Sequence, residues 1–202
     1  FSPTSLVFSN QVVGTKSGGK NVKLTANGPS PLVISSITVT GDFLESSNCP
    51  ASLNKGQSCN ITINFKPTVG GPAAGSVFVT DNGLASPQTV PLSGNGLDFT
   101  LTASPSSVSV NAGQAALYTV TATEVGGSFN NNVNLTCSGL PAGAKCHFSP
   151  SGIAPKTGSA SSSLSLSTTA GGSGTPPGTY SITVIGTSGS LQHAVPITLV
   201  VN

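Results

Sequence analysis

Between residues 60 and 66 apolar and polar side chains alternate without a break. Ile61, Ile63 and Phe65 fall on one face, and Asn60, Thr62, Asn64 and Lys66 on the other. A period of two over this length predicts a strand with one face buried and one face in water. Shorter versions recur along the first half of the chain. Leu6 and Phe8, then Val12 and Val13, predict a first strand broken near Asn10. Val22, Leu24 and Ala26 share a face, residues 32–39 form a longer apolar run, and Val77 with Val79 and Val90 with Leu92 complete the series. The stretch Gly41-Asp42-Phe43 reads as the start of a connection that buries Phe43. Turn chemistry separates the runs: Gly28-Pro29-Ser30-Pro31, Val69-Gly70-Gly71-Pro72 and Asp81-Asn82-Gly83.

The second half follows the same plan. Phe99 and Leu101, Val108 and Val110, Tyr118 and Val120, then residues 133–137, 144–148, 161–167 and 180–185 each read as strands. The last run places Val195, Ile197, Leu199 and Val201 on one face. Residues 171–178 are rich in Gly and Pro, but strands resume on both sides, so they read as a turn. No window keeps apolar residues at helical spacing. The predicted fold is all-β: two tandem immunoglobulin-like antiparallel β-sandwich domains with minimal helix. Gly94-Asn95-Gly96 marks the boundary, which gives a first domain over 1–94, a short Gly-rich linker over 95–97 and a second domain over 98–202.

Composition narrows the function classes. Only 6% of the 202 residues are charged, so the polar surface must come from Ser, Thr and Asn. The net charge of +2 rests on lysines alone, Trp is absent and Tyr occurs twice, which argues against a nucleic-acid site built on Arg forks and stacking platforms. No apolar run reaches the length of a membrane-spanning helix. The chain opens on Phe1 without an initiator Met, a basic leader or a signal-type apolar segment, and reads as a mature or excised segment.

Four cysteines stand in two close pairs, Cys49 with Cys59 and Cys137 with Cys146, separated by nine and eight residues. Close pairing favours two disulfides and an oxidising compartment. Zinc is the competing reading, but His147 directly follows Cys146 and points to the opposite face of its strand.

Two resemblances follow. Residues 3–96 resemble the bacterial choice-of-anchor-D type modules, relatives of the Ig-like domains of the ASPM, SPD-2 and Hydin group. The residues that carry it are Pro3-Thr4-Ser5-Leu6-Val7-Phe8, Gln11-Val12-Val13-Gly14-Thr15, Pro31-Leu32-Val33-Ile34, Gly41-Asp42-Phe43, Gly56-Gln57-Ser58-Cys59, Phe65-Lys66-Pro67 and Val90-Pro91-Leu92-Ser93-Gly94-Asn95-Gly96. Residues 98–202 resemble the Ig-like repeats that follow such modules in large secreted bacterial proteins, particularly of soil Acidobacteria. That likeness is carried by Leu135-Thr136-Cys137-Ser138-Gly139-Leu140-Pro141-Ala142-Gly143-Ala144, Cys146-His147-Phe148-Ser149-Pro150 and Pro177-Gly178-Thr179-Tyr180. The resemblance implies secreted or surface-attached multidomain proteins in which such units act as spacers or adhesive modules. It implies no reaction, no cofactor and no catalytic residue.

Candidate chemistry is sparse. Asp42 and Glu45 are the one close acidic pair, and a solvated loop accounts for them. Asp81-Asn82-Gly83 offers one or two oxygen ligands to a cation, but a hairpin turn explains it without one. His147 and His193 accompany many serines, yet there is no Gly-x-Ser-x-Gly elbow, and His193 reads as a turn or edge residue. Asn60-Ile61-Thr62 and Asn134-Leu135-Thr136 match the glycosylation acceptor pattern on the wet faces of strands.

Three functions remain. The leading one is a non-catalytic extracellular structural or adhesive module on a bacterial surface, contacting neighbouring surface domains. The second is a subunit of an extracellular filament. Its assembly strands would be the terminal ones, through Leu6, Phe8, Val195, Ile197, Leu199 and Val201, added to a neighbour's sheet head to tail. The third is a glycan- or protein-binding module using the loop over 126–132 around Phe129.

Overall fold

Ile61, Ile63 and Phe65 have no solvent exposure, as their alternation requires. They lie on the central strand of a three-stranded sheet in the computed structural model, which describes residues 1–202 and has two compact units, Phe1–Leu97 and Asp98–Asn202. The first unit contains β1 (Leu6–Val7), β2 (Gln11–Val12), β3 (Lys20–Thr25), β4 (Leu32–Val39), β5 (Phe43–Ser47), β6 (Ser52–Leu53), β7 (Ser58–Phe65) and β8 (Gly71–Asp81). It also takes β9 (Gln88–Ser104) as far as Leu97. One sheet runs β3-β7-β5 and the other β9-β8-β4-β6, with β1 and β2 parallel to β9. Naming β3, β4, β5, β7, β8 and β9 as strands B to G gives B-E-D facing C-F-G, the immunoglobulin arrangement.

The second unit begins with the rest of β9 and adds β10 (Ser107–Val110), β11 (Ala115–Val125), β12 (Val133–Ser138), β13 (Lys145–Ser149), β14 (Gly152–Ile153), β15 (Ser159–Ser167), β16 (Gly178–Ser188) and β17 (Leu191–Val201). Its sheets run β9-β11-β15-β13 and β10-β17-β16-β12-β14, which reads as A-B-E-D against C-F-G. A corner typical of such sandwiches is present at the start of β16. The Tyr180 hydroxyl donates 2.8 Å to the carbonyl of Pro176, four residues upstream.

Each unit closes over its own core. In the first, the rings of Phe8, Phe43 and Phe65 form a triangle with centroids 5.0 to 6.0 Å apart, and Val22, Leu24, Val77, Val79, Val90 and Leu92 pack around it from both sheets. In the second, Phe99 and Phe129 meet at 5.5 Å, and Tyr118 is buried with its hydroxyl donating 2.7 Å to the Thr198 carbonyl in the facing sheet. Full burial of each such side chain contributes about 1.5–3 kcal/mol.

Two expectations need correction. Residues 95–97, read as a linker unable to carry a strand, are strand residues of β9. Asn95 pairs with Pro72, Gly96 with both Gly71 and Gln11, and Leu97 with Val12. The glycines serve close approach rather than flexibility. A Cβ on Gly94 would stand 2.7 Å from the Phe65 ring, and one on Gly96 would strike the Val69 carbonyl oxygen. The stretch after Asp42, read as a connection, is strand β5, paired to β7 from Phe43 to Ser47. Only Phe43 of its residues is buried, so no apolar alternation marks it.

The Tyr180→Phe variant is expected to lose about 1 kcal/mol of unfolding free energy with an unchanged denaturant slope. Tyr118 supplies a pH test. Burial raises its phenol above the ordinary 10.0, partly offset by a backbone hydrogen bond at Val108. A folded value above the unfolded one means stability that is present below about pH 10 and lost as pH rises through the folded value. Denaturation at alkaline pH should show that loss in the native chain, and Tyr118→Phe should flatten it.

Candidate functional site

The structure joins Cys49 to Cys59 and Cys137 to Cys146. Cys59 is buried on the middle strand β7, and Cys49 lies in the segment that leaves β5. Asn48 reinforces that crossing: its side-chain oxygen accepts from the Asn60 amide at 2.8 Å, and its own amide donates to the Asn60 carbonyl. The staple therefore fixes an otherwise exposed crossover to the best-buried strand of its sheet. Cys137 stands on β12 and Cys146 on β13, which belong to opposite sheets. This second staple ties the two layers of the sandwich together.

Two of the acidic residues, Asp42 and Asp81, close loops. The Asp42 carboxylate accepts from the amide and hydroxyl of Thr68 at 2.7 and 3.0 Å, while Glu45 is exposed on β5. Asp81 is buried in the β8–β9 hairpin, where one oxygen takes the Gly83 amide at 2.8 Å and the other the Gln88 amide group at 2.6 Å. His193 is not a bare edge residue. Its Nε2 lies 2.8 Å from Asp98 Oδ1, and its ring meets Phe99 edge-on at 4.7 Å. His147 is exposed on β13. Asn60 and Asn134 are both exposed on strands, with Asn134 accepting from Asn132.

Two site readings change with the tertiary structure. Phe129, expected at the tip of a ligand-binding loop, is 1% exposed, and its backbone exchanges two hydrogen bonds with Lys156. A lone aromatic in a polar stretch was the misleading signal; the ring is core, so the loop over 126–132 presents no aromatic platform. The terminal strands are also engaged inward. Leu6 and Phe8 are buried, Val195 is half-buried, and Ile197, Leu199 and Val201 are buried. β17 has β16 on one side along its length and β10 on the other from Thr198 to Val201. Donating β17 to a neighbour would break both pairings and remove Ile197, Leu199 and Val201 from their own core.

The residues that pattern reading missed surround a cleft of about 530 Å³ at one end of the first unit. Its walls are the β3–β4 loop over 26–31 and the β8–β9 loop over 82–87, and Leu24 and Leu32 line it where the strands begin and end. Asn82 holds the two loops together. Its side chain accepts the Val33 amide at 2.9 Å and donates to the Pro31 carbonyl at 3.2 Å, and its own amide donates to the Val33 carbonyl. Leu84 stands fully exposed at the rim. The turn signals were legible, but their convergence depends on which strands pair.

No known protein family and no curated protein matches the chain in sequence. Among solved structures, domains 4 and 5 of the S-layer protein SbsC are 26% identical, with 79% of this chain and 77% of that one covered and a TM-score of 0.35. The D00-D0 domain of intimin is 14% identical over 94% and 96%, with a TM-score of 0.40. The secreted serine protease VesC from Vibrio cholerae is 10% identical over 79% of this chain, which spans 44% of that protein, with a TM-score of 0.38.

Replacing Cys49 and Cys59 together by Ser, or Cys137 and Cys146 together, is expected to cost about 2–3 kcal/mol each in denaturant unfolding. Phe129→Ala is expected to cost about 3–5 kcal/mol, as a core truncation. A loss within about 0.5 kcal/mol, that of an exposed loop residue, would put the ring on the surface.

Proposed function

We propose that the protein is a non-catalytic structural module working outside the cell, a spacer or adhesive segment in contact with neighbouring surface domains. The observation that carries this reading is that each unit is stapled by its own disulfide, one onto the central strand β7 and one across the two sheets. Such bonds persist in oxidising compartments and hold a small sandwich against local opening.

The surface chemistry supports the same reading. Thr119, Thr121 and Thr123 on β11 stand opposite Ser163, Ser161 and Ser159 on β15, so this part of the sheet face is covered by hydroxyls. Thr121 and Ser161 share a 2.8 Å hydrogen bond on that face. Neutral hydroxyls hydrate a surface without the salt dependence that charges bring.

The test is fractionation of the native source followed by non-reducing peptide mapping. The expected result is protein in the extracellular or surface fraction, with Cys49 linked to Cys59 and Cys137 to Cys146. Recovery from the cytosol with four free thiols would overturn the assignment.

A further inference from the structure

The dipeptide Asn-Gly occurs three times, at Asn27-Gly28, Asn82-Gly83 and Asn95-Gly96. In such a pair the glycine nitrogen can close on the asparagine carboxamide, because glycine has no Cβ to hinder the approach. Closure needs two freedoms. The carboxamide must swing onto the following nitrogen, and that nitrogen must give up its proton. The fold treats the three pairs differently.

At Asn82 both freedoms are taken. Its carboxamide accepts from the Val33 amide at 2.9 Å and donates to the Pro31 carbonyl at 3.2 Å, and the Gly83 amide donates to Asp81 at 2.8 Å. Asn95 and Gly96 lie within β9, where Asn95 pairs with Pro72 and the buried Gly96 with both Gly71 and Gln11. Turning the Asn95 backbone toward ring closure would break that ladder of hydrogen bonds. Asn27 and Gly28 stand apart. Both are exposed in the β3–β4 loop, and neither the Asn27 side chain nor the Gly28 amide is hydrogen-bonded to the rest of the protein. The loop is pinned only at its ends. There the Ala26 amide donates to Gln57, its carbonyl accepts from Gly56, and the Pro31 carbonyl accepts from Asn82. A Cβ on Gly28 would meet nothing nearer than the Ser30 carbonyl oxygen at 3.8 Å, so the pair has room to move.

We infer that Asn27 is a site of spontaneous self-modification, deamidating through a succinimide while the fold protects Asn82 and Asn95. The Gly28 nitrogen attacks Asn27 Cγ. The N–Cγ bond forms, the Cγ–Nδ2 bond breaks, and ammonia leaves with the proton lost from Gly28. Water then opens the ring at either carbonyl, which gives an aspartyl or an isoaspartyl residue at position 27. The reaction consumes only water and needs no enzyme, metal or second protein. Its product places a carboxylate in a loop whose cleft is lined by no other ionisable side chain, and it lowers the net charge of +2 by one. In the isoaspartyl form the main chain runs through the former side chain, which lengthens the loop by one carbon. The chemistry is independent of where the protein works. In a chain that persists after secretion, the converted fraction at position 27 rises with the age of the molecule.

The experiment incubates the full native chain in mildly alkaline buffer and follows each asparagine by peptide mapping, reading the mass gain of amide-to-acid conversion. A parallel sample is reduced and held in guanidinium chloride. In the native chain Asn27 is expected to convert about tenfold or more faster than Asn82 and Asn95, with isoaspartate among the products. In the denatured chain Asn82 and Asn95 are expected to convert as readily as Asn27, because their protection belongs to the fold. Gly28→Ala, a change the open loop accommodates, is expected to slow Asn27 about tenfold or more without altering the other two sites. No conversion at Asn27, equal native rates at the three pairs, an aspartate-only product, or an unchanged rate in Gly28→Ala would each overturn the inference. So would native-like protection of Asn82 and Asn95 in the denatured chain.

Discussion

Phe65 has no exposed surface, and much of the first unit is arranged to leave it that way. Its ring meets Phe43 at 5.0 Å and Phe8 at 6.0 Å, so it draws the β5 strand and the residue after β1 onto the same centre. Across the sandwich, Gly94 leaves the space that the ring fills, because a Cβ there would lie 2.7 Å from it. The aromatic side chain on one sheet and the missing side chain on the other are two halves of one packing solution. Truncating either partner or filling the gap would disturb three strands together, which is how close-packed interiors transmit small volume changes.

The second unit solves the same problem with a different set. Phe99 packs on Phe129 and against the edge of His193, while Asp98 accepts from both His193 and the Phe99 amide. Tyr118 reaches across to the facing sheet and ends in a hydrogen bond, so its polar tip is not left unpaired in the core. The Cys137–Cys146 bond then holds β12 to β13 across the layers. Burial, one satisfied phenol and one covalent tie replace the aromatic triangle of the first unit.

Polar side chains in this protein mostly serve closure. Asp42 secures Thr68, Asp81 secures its hairpin, Asn48 secures the Cys49 crossing, and Asn82 joins two loops. Where β11 and β15 pair, the exposed face carries threonine and serine hydroxyls. Carboxylates such as Asp42 and Asp81 are committed to the chain's own turns, and a disulfide staples each unit. Leu84 stands fully exposed at the rim of the cleft between the 26–31 and 82–87 loops.

The alternation of Ile61, Ile63 and Phe65, of Val77 and Val79, and of Ile197, Leu199 and Val201 determined by itself that the chain is all-β and which residues form its cores, since period two leaves a strand only one way to hide its apolar face. The cysteine spacing was equally legible, because short separations keep partners together whatever the fold does. What remained hidden depends on neighbours distant in sequence. β5 exists because β7 offers it an edge, not because Leu44 to Ser47 alternate. Gly94 and Gly96 look like linker residues until Phe65 and Val69 are seen pressing on them. Phe129 looks like a loop aromatic until Phe99 is placed beneath it, and the end strands look free until β10 and β16 are found on either side of β17. Local pattern records which way a side chain must face; only the pairing of remote strands decides what it meets there.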